Sequence, residues 1–320
     1  MMVVLHHLRF SETELGPFGV KIFFVISGFV MWLTTASADI SPATFWRRRL
    51  IRIVPLYWFF LALLVAVALS APQFLNTTAV TYEAIIKSFL FIPHYHAVQG
   101  FIAPLLIPGW SLNYEMFFYF VFGFALLIKS PSSRAVAIGI VLGGLVLLGL
   151  LIDSRDAVVV TFTSPNLILF VDGVVLAILY RTFDLGSGKL GLILICIGAL
   201  LAPIGFSRFG TAANFVGLAP ALIVAGIIAF EPAIRRAPST ILHTIGDASY
   251  SIYLSHLFAL RLFELGWRHV VTFQPSLVLE VVYVGFAFIF AIAGGVAVHY
   301  FVERPTLVLL HRNKVAAKPA

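Results

Sequence analysis

Long apolar runs, separated by short basic turns, constrain this chain more than any other feature. Most of the runs approach the roughly 20 residues that an α-helix needs to cross a hydrocarbon layer. The 320 residues are 61% hydrophobic and 11% charged, with a mean hydropathy of +1.03. So few polar side chains cannot cover the surface of a soluble globule. The sequence therefore predicts an all-α, polytopic transmembrane helical bundle.

The pattern predicts about ten membrane helices in a single integral-membrane domain, 1–320. The first apolar run, 1–8, spans only about 12 Å at about 1.5 Å per residue, too little for a bilayer of about 30 Å. We therefore expect the first helix to be truncated as given, with its missing half encoded upstream. The other predicted crossings are 20–32, 54–70, 110–128, 135–152, 166–180, 190–204, 214–230, 245–263 and 277–300.

The basic residues predict the orientation of the bundle. Placing both termini in the cytoplasm puts 14 of the 21 Lys and Arg residues on that side, as the positive-inside rule requires. The same short clusters account for the net charge of +7, so nucleic-acid binding is not predicted. The segment 71–109 is too polar to cross and is predicted to be an external loop on the membrane surface.

Residue types exclude some chemistry. The single cysteine, Cys196, allows no internal disulfide and makes metal–thiolate chemistry improbable. His94 and His96 resemble half of a metal site, but no second ligand pair accompanies them, so no metal is predicted. Gly139-x-x-x-Gly143, with Gly144 and Gly149, is interpreted as a close-packing helix face.

Ionisable groups inside lipid are costly, so each one is a functional candidate. His7 could remove a proton from a hydroxyl, because the imidazole pKa lies near working pH; the alternative is a structural hydrogen bond. Its neighbour His6 is a second candidate. Asp172 is as compatible with a helix-packing hydrogen bond as with function, and His256 alone fits a satisfied core histidine.

Glu115 is expected about a turn and a half into a membrane helix. It shares a helical face with Ser111 and Tyr119, and together they could orient a histidine or an acceptor hydroxyl. The alternative is a buried carboxylate that pairs with a cation for assembly. The basic cluster Arg47, Arg48, Arg49 and Arg52 either anchors topology or binds phosphate through its planar guanidinium forks.

Five motifs follow one another along most of the chain: Val3-Val-Leu-His-His7, Gly19-Val-Lys-Ile-Phe-Phe-Val-Ile-Ser-Gly-Phe29, Phe45-x-x-Arg-Arg-x-x-Arg-Ile-x-Pro55, Trp110-Ser-Leu-Asn-Tyr-Glu115-x-x-Phe-Tyr119 and Gly246-Asp-Ala-Ser-Tyr-Ser-Ile-Tyr-Leu-Ser-His256. In this order they resemble the motifs of the acyltransferase-3 family of bacterial integral-membrane O-acyltransferases. The segment Ile26-Ser-Gly-Phe-Val-Met-Trp32 most resembles the branch that acts on exopolysaccharides.

The resemblance implies an O-acetyltransferase in a bacterial inner membrane, with acetyl-coenzyme A as cytosolic donor and an extracytoplasmic or lipid-linked glycan as acceptor. It makes His7 the catalytic base, with Glu115 and His6 as further catalytic candidates, and assigns the coenzyme to the four arginines. It also implies substrate contacts at Trp110, Ser111, Asn113, Tyr119, Tyr253 and His256.

Two other functions remain open from the residues alone. Buried His, Glu and Asp across ten helices could form the proton relay of a transporter, although no Gly- or Pro-interrupted helices occur in two matching halves. A non-catalytic component of polysaccharide export would tolerate the loss of both His7 and Glu115.

Overall fold

The described part of the chain is mostly helical. A computed structural model describes residues 1–4, 15–37, 39–71, 80–183, 186–202, 217–236, 239–270 and 276–312. These residues form no strand, and their one isolated β-bridge joins Tyr95 and Ile102. The all-α prediction is therefore confirmed for them.

Fourteen helices are described, and we number them in chain order. They are α1 Leu15–Thr35, α2 Pro42–Ser70, α3 Tyr82–Phe89, α4 Trp110–Ala125, α5 Pro131–Leu151, α6 Ala157–Phe162, α7 Ile168–Thr182, α8 Gly188–Leu201, α9 Leu218–Ala229, α10 Glu231–Arg236, α11 Thr240–Asp247, α12 Ser249–Val270, α13 Leu277–Val298 and α14 Arg304–Arg312.

Five stretches are long and apolar enough to cross a membrane. They are Gly16–Thr35, Pro42–Ser70, Pro131–Leu151, Ala157–Thr182 and Val278–Leu310. Two shorter apolar helices are Gly188–Leu201 and Leu218–Ala229. The count of about ten crossings remains a prediction, and residues 5–8 of the predicted first helix lie outside the described residues.

Helix α2 begins earlier than the sequence predicts. Ser41 accepts a hydrogen bond from the backbone N–H of Thr44, a favourable start for a helix at Pro42. All four arginines of the basic cluster are therefore helical, although the predicted crossing begins only at residue 54. Pro55 consequently lies in the helix interior, and a proline there cannot donate to the carbonyl of Ile51.

The chain divides into two compact units. Unit 1 comprises 1–17, 49–76 and 239–320, and unit 2 comprises 18–48 and 77–238. In unit 1, α12 and α13 pack around small and branched side chains that include Ala248, Ile252, Ala287 and Ala291. The prediction of a single domain over 1–320 stays a prediction.

Aromatic rings and close backbone contacts build unit 2. The Phe170 ring lies 4.3 Å from that of Phe118 and 4.8 Å from that of Phe24, measured between centroids. A Cβ on Gly28 would lie 2.1 Å from the Phe170 carbonyl oxygen, and one on Gly173 would lie 2.1 Å from that of Val25. Helices α1 and α7 therefore touch backbone to backbone.

The predicted close-packing face of α5 is wrong for three of its four glycines. No described atom lies within 4 Å of a Cβ built on Gly139, Gly143 or Gly144. Gly149 alone meets a neighbour, at Thr163. A spacing of four places glycines on one helical face, but it does not say whether that face meets protein or lipid.

Polar contacts join several helix ends of unit 2 at one end of the unit. The Arg134 guanidinium at the start of α5 donates to the carbonyl of Ile128 at 3.0 Å and to that of Thr35 at 3.5 Å. At the end of α7, Arg181 donates to the Ser37 hydroxyl at 2.6 Å. The ends of α1, α4 and α7 and the start of α5 thus meet at a basic end.

Candidate active site

Glu115 forms a buried polar cluster inside unit 2. Its side chain on α4 is only 4% exposed. The carboxylate accepts a hydrogen bond from the Ser27 hydroxyl of α1 at 3.3 Å and a short one from the Tyr119 hydroxyl one turn along α4. Hydroxyl donors compensate part of the cost of burying a carboxylate, so the group is held in one orientation.

The helical spacing anticipated one of these two partners. Glu115 and Tyr119 lie four residues apart, and the structure joins them as that spacing predicts. The Ser111 hydroxyl donates a hydrogen bond to the Pro108 carbonyl at 3.2 Å. Ser27 was not predicted as a site residue from the sequence. It lies near the centre of the apolar run 20–32, where the Ser-Gly pair is the only polar feature.

The start of α4 holds two further predicted substrate contacts. Trp110 packs edge-on against Phe24, at 6.3 Å between ring centroids. Asn113 is buried, and its Oδ1 atom has no hydrogen-bond partner among the described residues. Because buried polar atoms are rarely left unpaired, this oxygen is free to accept from a bound group.

Arg47 and Arg48 belong to the part of α2 that lies in unit 2, and both are exposed. The residue before them is fixed against α4. The Trp46 indole N–H donates to the Tyr119 carbonyl at 2.9 Å, and its ring occupies the space beside Gly123, where a Cβ would lie 2.1 Å away. This contact orients the first part of the basic cluster relative to the helix that carries Glu115.

Unit 1 contains a second buried carboxylate, Glu303, which the sequence pattern did not single out. It is 2% exposed and is bound by three donors. The Arg52 guanidinium donates to Oε1, while the Ser251 hydroxyl at 2.6 Å and His299 Nδ1 at 2.8 Å contact Oε2. The sequence did contain a signal for this cluster, because His299 and Glu303 lie four residues apart in an apolar stretch.

The backbone around Glu303 departs from regular α-helix. A π-helical turn spans His299–Glu303 between α13 and α14. Such turns carry one extra residue and often occur at functional sites. A cavity of about 200 Å³ adjoins the ion pair and is lined by Arg52, Pro55 and Glu303 among others.

Two further predicted residues of unit 1, Tyr253 and His256, lie on α12. His256 is fully buried, and its Nδ1 atom lies 2.6 Å from the Tyr253 carbonyl oxygen. Tyr250 donates to the Ile53 carbonyl of α2 at 2.7 Å. These contacts fit the core-histidine interpretation as well as a substrate contact. Arg49, also in unit 1, is half-buried.

The roles of all the predicted site residues stay predictions, and some of these residues have no structural description. His6 and His7 lie outside the described residues, so their catalytic roles stay predictions. Asp172 has a buried Oδ2 atom without a partner among the described residues, beside Gly217. The described residues contain no group of three or more His, Cys, Asp or Glu side chains that could hold a metal ion.

The fold and these clusters define a class: an all-helical protein with membrane-length helices and buried carboxylates held by hydroxyl and guanidinium donors. Comparison with known protein families identifies the family within this class. A family model described as an acyltransferase domain matches residues 1–300. The chain belongs to the acyltransferase-3 family. It is a membrane-associated enzyme that transfers acyl groups.

Two relatives cover nearly all of the chain. The chain is 33% identical to the exopolysaccharide production protein ExoZ of Rhizobium meliloti (strain 1021) over 310 residues, which are 95% of this chain and 93% of that protein. It is 27% identical to the acyltransferase MdmB of Streptomyces mycarofaciens over an alignment of 334 positions, which covers 95% of this chain and 84% of that protein. No solved structure gives a significant match.

Proposed function

We propose that this enzyme moves an acetyl group from cytosolic acetyl-coenzyme A to a sugar hydroxyl of an extracytoplasmic or lipid-linked glycan. The observation that carries the proposal is the buried Glu115 carboxylate, held by Ser27 and Tyr119 within a chain of the acyltransferase-3 family. The exopolysaccharide relative supports a glycan acceptor.

The proposed reaction moves the acetyl group from the sulfur of coenzyme A to the oxygen of the acceptor hydroxyl. The acceptor hydroxyl oxygen attacks the thioester carbonyl carbon while His7 takes the hydroxyl proton. The C–S bond then breaks, the departing thiolate takes up a proton to become the coenzyme thiol, and His7 releases its proton to solvent. Glu115 orients the acceptor hydroxyl. His7 receives its role from the family resemblance, and His6 is the second candidate for it.

The basic cluster is the proposed donor site. Coenzyme A carries a 3′-phosphate and a pyrophosphate, which the planar forks of arginine bind with two parallel hydrogen bonds. Arg47 and Arg48 are exposed, which suits contact with a cytosolic ligand. Arg52 is engaged with Glu303 through one nitrogen, and we propose that this ion pair fixes the guanidinium for phosphate binding.

The proposal also assigns membrane sidedness. The basic end of unit 2, with Arg134 and Arg181, faces the cytoplasm, and the chain has both termini there in a bacterial inner membrane of about ten crossings. Trp110, at the other end of α4, then faces the acceptor side.

The direct experiment measures transfer of labelled acetyl from acetyl-coenzyme A to membrane-associated glycan by the intact protein and by His7→Ala. Loss of a general base lowers turnover about 10²- to 10⁴-fold and leaves donor binding nearly intact. Arg49→Gln, in contrast, raises the KM for acetyl-coenzyme A about tenfold or more and makes it more salt-sensitive. The same kinetic profile for both variants, with donor binding lost and turnover unaffected, would refute this division of roles.

A further inference from the structure

Another cavity lies in unit 2, and Glu115 is not among the residues that line it. The proposed transfer steps do not use it. It measures about 440 Å³ and lies between residues 81–105 and the turn at 155–158. That volume falls within the range of about 300–1,000 Å³ typical of small-molecule sites. Residues 81–105 precede Trp110, the first residue of α4, by only four residues. The turn at 155–158 comes soon after the end of α5 at Leu151. The cavity therefore lies at the end of unit 2 where α4 begins.

The wall that carries His94 and His96 is rigidly built. The His96 backbone N–H donates to the Phe101 carbonyl at 2.9 Å, and the Ala103 N–H donates to the His94 carbonyl at 3.1 Å. The two imidazoles are 8% and 3% exposed. Residues 92–103 of the predicted external loop are therefore tied together by backbone hydrogen bonds, with two buried histidines among them.

The hydrogen bonds of each ring fix which nitrogen carries its proton. His96 Nδ1 accepts from the backbone N–H groups of Val98 and Gln99, at 3.4 and 3.3 Å, so its proton is on Nε2. His94 Nδ1 lies 3.0 Å from the Ile92 carbonyl oxygen and must donate to it, so a neutral His94 carries a lone pair on Nε2. Burial, and secondarily the neighbouring His94, lowers the pKa of His96, which keeps that ring neutral.

Both Nε2 atoms are buried without a hydrogen-bond partner among the described residues. One is a donor and the other is an acceptor. Unpaired buried polar atoms are rare enough in proteins that each requires an explanation, and a hydroxyl group satisfies both because it accepts and donates at once. A metal ion does not fit, because the protonated Nε2 of His96 offers it no lone pair.

The charges that line the cavity leave one cation available. Lys87 is paired with Glu83, and Asp156 caps α6 by accepting from the N–H groups of Val158 and Val159. Arg155 is exposed and forms no ion pair with any described residue. Its guanidinium can donate two parallel hydrogen bonds to adjacent oxygens. The Tyr95 side chain, 49% exposed, adds an aromatic surface.

We propose that this cavity is a saccharide-binding subsite that holds a hydroxyl-rich sugar ring of the glycan acceptor, through His94, His96 and Arg155. The inference rests on the proposed function for the identity of the glycan. A polyhydroxylated ring supplies hydroxyls that both donate and accept, adjacent oxygens for the guanidinium, and a C–H face for Tyr95. The subsite lies at the end of α4 assigned to the acceptor, and it would position the chain of sugars without touching the acetyl group.

Binding is measured on the purified full-length protein in lipid nanodiscs by saturation-transfer NMR. The probe is the oligosaccharide released by mild acid from membranes of producing cells and deacetylated with base. We expect His94→Ala, His96→Gln and Arg155→Ala each to weaken binding at least fivefold and to leave the KM for acetyl-coenzyme A unchanged. The matched controls are His243→Ala and Arg268→Ala, both exposed and outside the cavity, which should bind like the parent protein.

Arg155→Ala keeps the test sound if a histidine variant fails to fold, because Arg155 lies on an exposed turn. Equal saccharide binding by the parent and all three folded variants would overturn the inference, as would the absence of saccharide binding by the parent. Histidine-dependent binding of Zn²⁺ at micromolar concentration would also overturn it. Saccharide binding that depends on these residues, together with no acetyl transfer, would uphold the subsite and refute the proposed reaction.

Discussion

At the scale of single residues, the account depends on buried carboxylates whose donors are known. Glu115 has hydroxyl partners on two helices, and Glu303 has a guanidinium, a hydroxyl and an imidazole. A membrane interior makes an unpaired charge expensive, so these groups are held by their donors and are sensitive to the loss of any one.

Replacing Glu115 by glutamine tests the role of its charge. The amide oxygen still accepts from Tyr119, so the local structure should survive, but the charge-assisted hydrogen bonds, worth about 1.5–3 kcal/mol, are lost. We expect kcat to fall about ten- to hundredfold. Ser27→Ala removes only the 3.3 Å hydrogen bond and should have a smaller effect. Initial rates at saturating donor, with the amount of folded protein checked by gel filtration, decide the matter; unchanged turnover in Glu115→Gln would make the carboxylate structural.

Part of this site could be predicted from the sequence, for a physical reason. Residues four apart on a helix meet wherever the helix lies, so the Glu115–Tyr119 contact followed from spacing alone. Ser27 and Arg52 act through contacts across long stretches of chain, with Glu115 and Glu303 respectively. No local pattern specifies which helices will be neighbours, so these partners required the structure.

At the scale of elements, Glu303 links three segments of unit 1. Arg52 comes from α2, Ser251 from α12 and His299 from the turn after α13. The pair is not fully desolvated, because the Arg52 side chain is 39% exposed and water screens its attraction for Glu303.

We therefore expect Glu303→Gln to destabilise the protein by about 1–3 kcal/mol, since one buried charge-assisted network loses its acceptor. The measurement is the thermal unfolding midpoint in detergent. Glu83→Gln is the matched control, because it breaks a helical ion pair on the surface, where such pairs contribute little. A midpoint that is lowered equally by both substitutions would mean that the buried network adds nothing to stability.

The glycines separate helix faces that meet protein from those that do not. Gly173→Ala would push a Cβ to 2.1 Å from the Val25 carbonyl oxygen, so α1 and α7 must move apart. We expect the free energy of unfolding of Gly173→Ala to fall by about 1–3 kcal/mol, as for other overpacked contacts. Gly143→Ala meets no described atom within 4 Å and should be neutral or slightly stabilising, because alanine favours helix. Unfolding midpoints of the two variants compare them directly; a larger loss for Gly143→Ala would place the close contact on α5 after all.

Hydropathy predicted that helices of membrane length exist, and it located several of their centres. It failed at helix boundaries, where side-chain caps decide. The cap at Ser41 starts α2 at Pro42, which brings all four arginines into one helix, and the Asp156 cap starts a helix before the predicted crossing 166–180. The glycines of α5 were misassigned for a related reason, since sequence spacing does not distinguish protein from lipid as the neighbour.

At the scale of the whole molecule, the account assigns two sides to the protein. Arg134 at the start of α5 and Arg181 at the end of α7 lie at one end of unit 2, whereas Trp110 and the His94–His96 loop lie at the other. The proposed reaction needs this arrangement, because the coenzyme is cytosolic and the glycan is not.

The most direct test of the central claim measures acetyl transfer across a bilayer. The protein is reconstituted in sealed vesicles with the deacetylated glycan in the lumen and labelled acetyl-coenzyme A outside, and insertion of both orientations is quantified by protease accessibility. We expect labelled O-acetyl ester on the luminal glycan from molecules whose basic end faces outward, reduced about 10²- to 10⁴-fold in His7→Ala. Label that remains on the outer side only, or transfer that is equal in the His7→Ala vesicles, would contradict it.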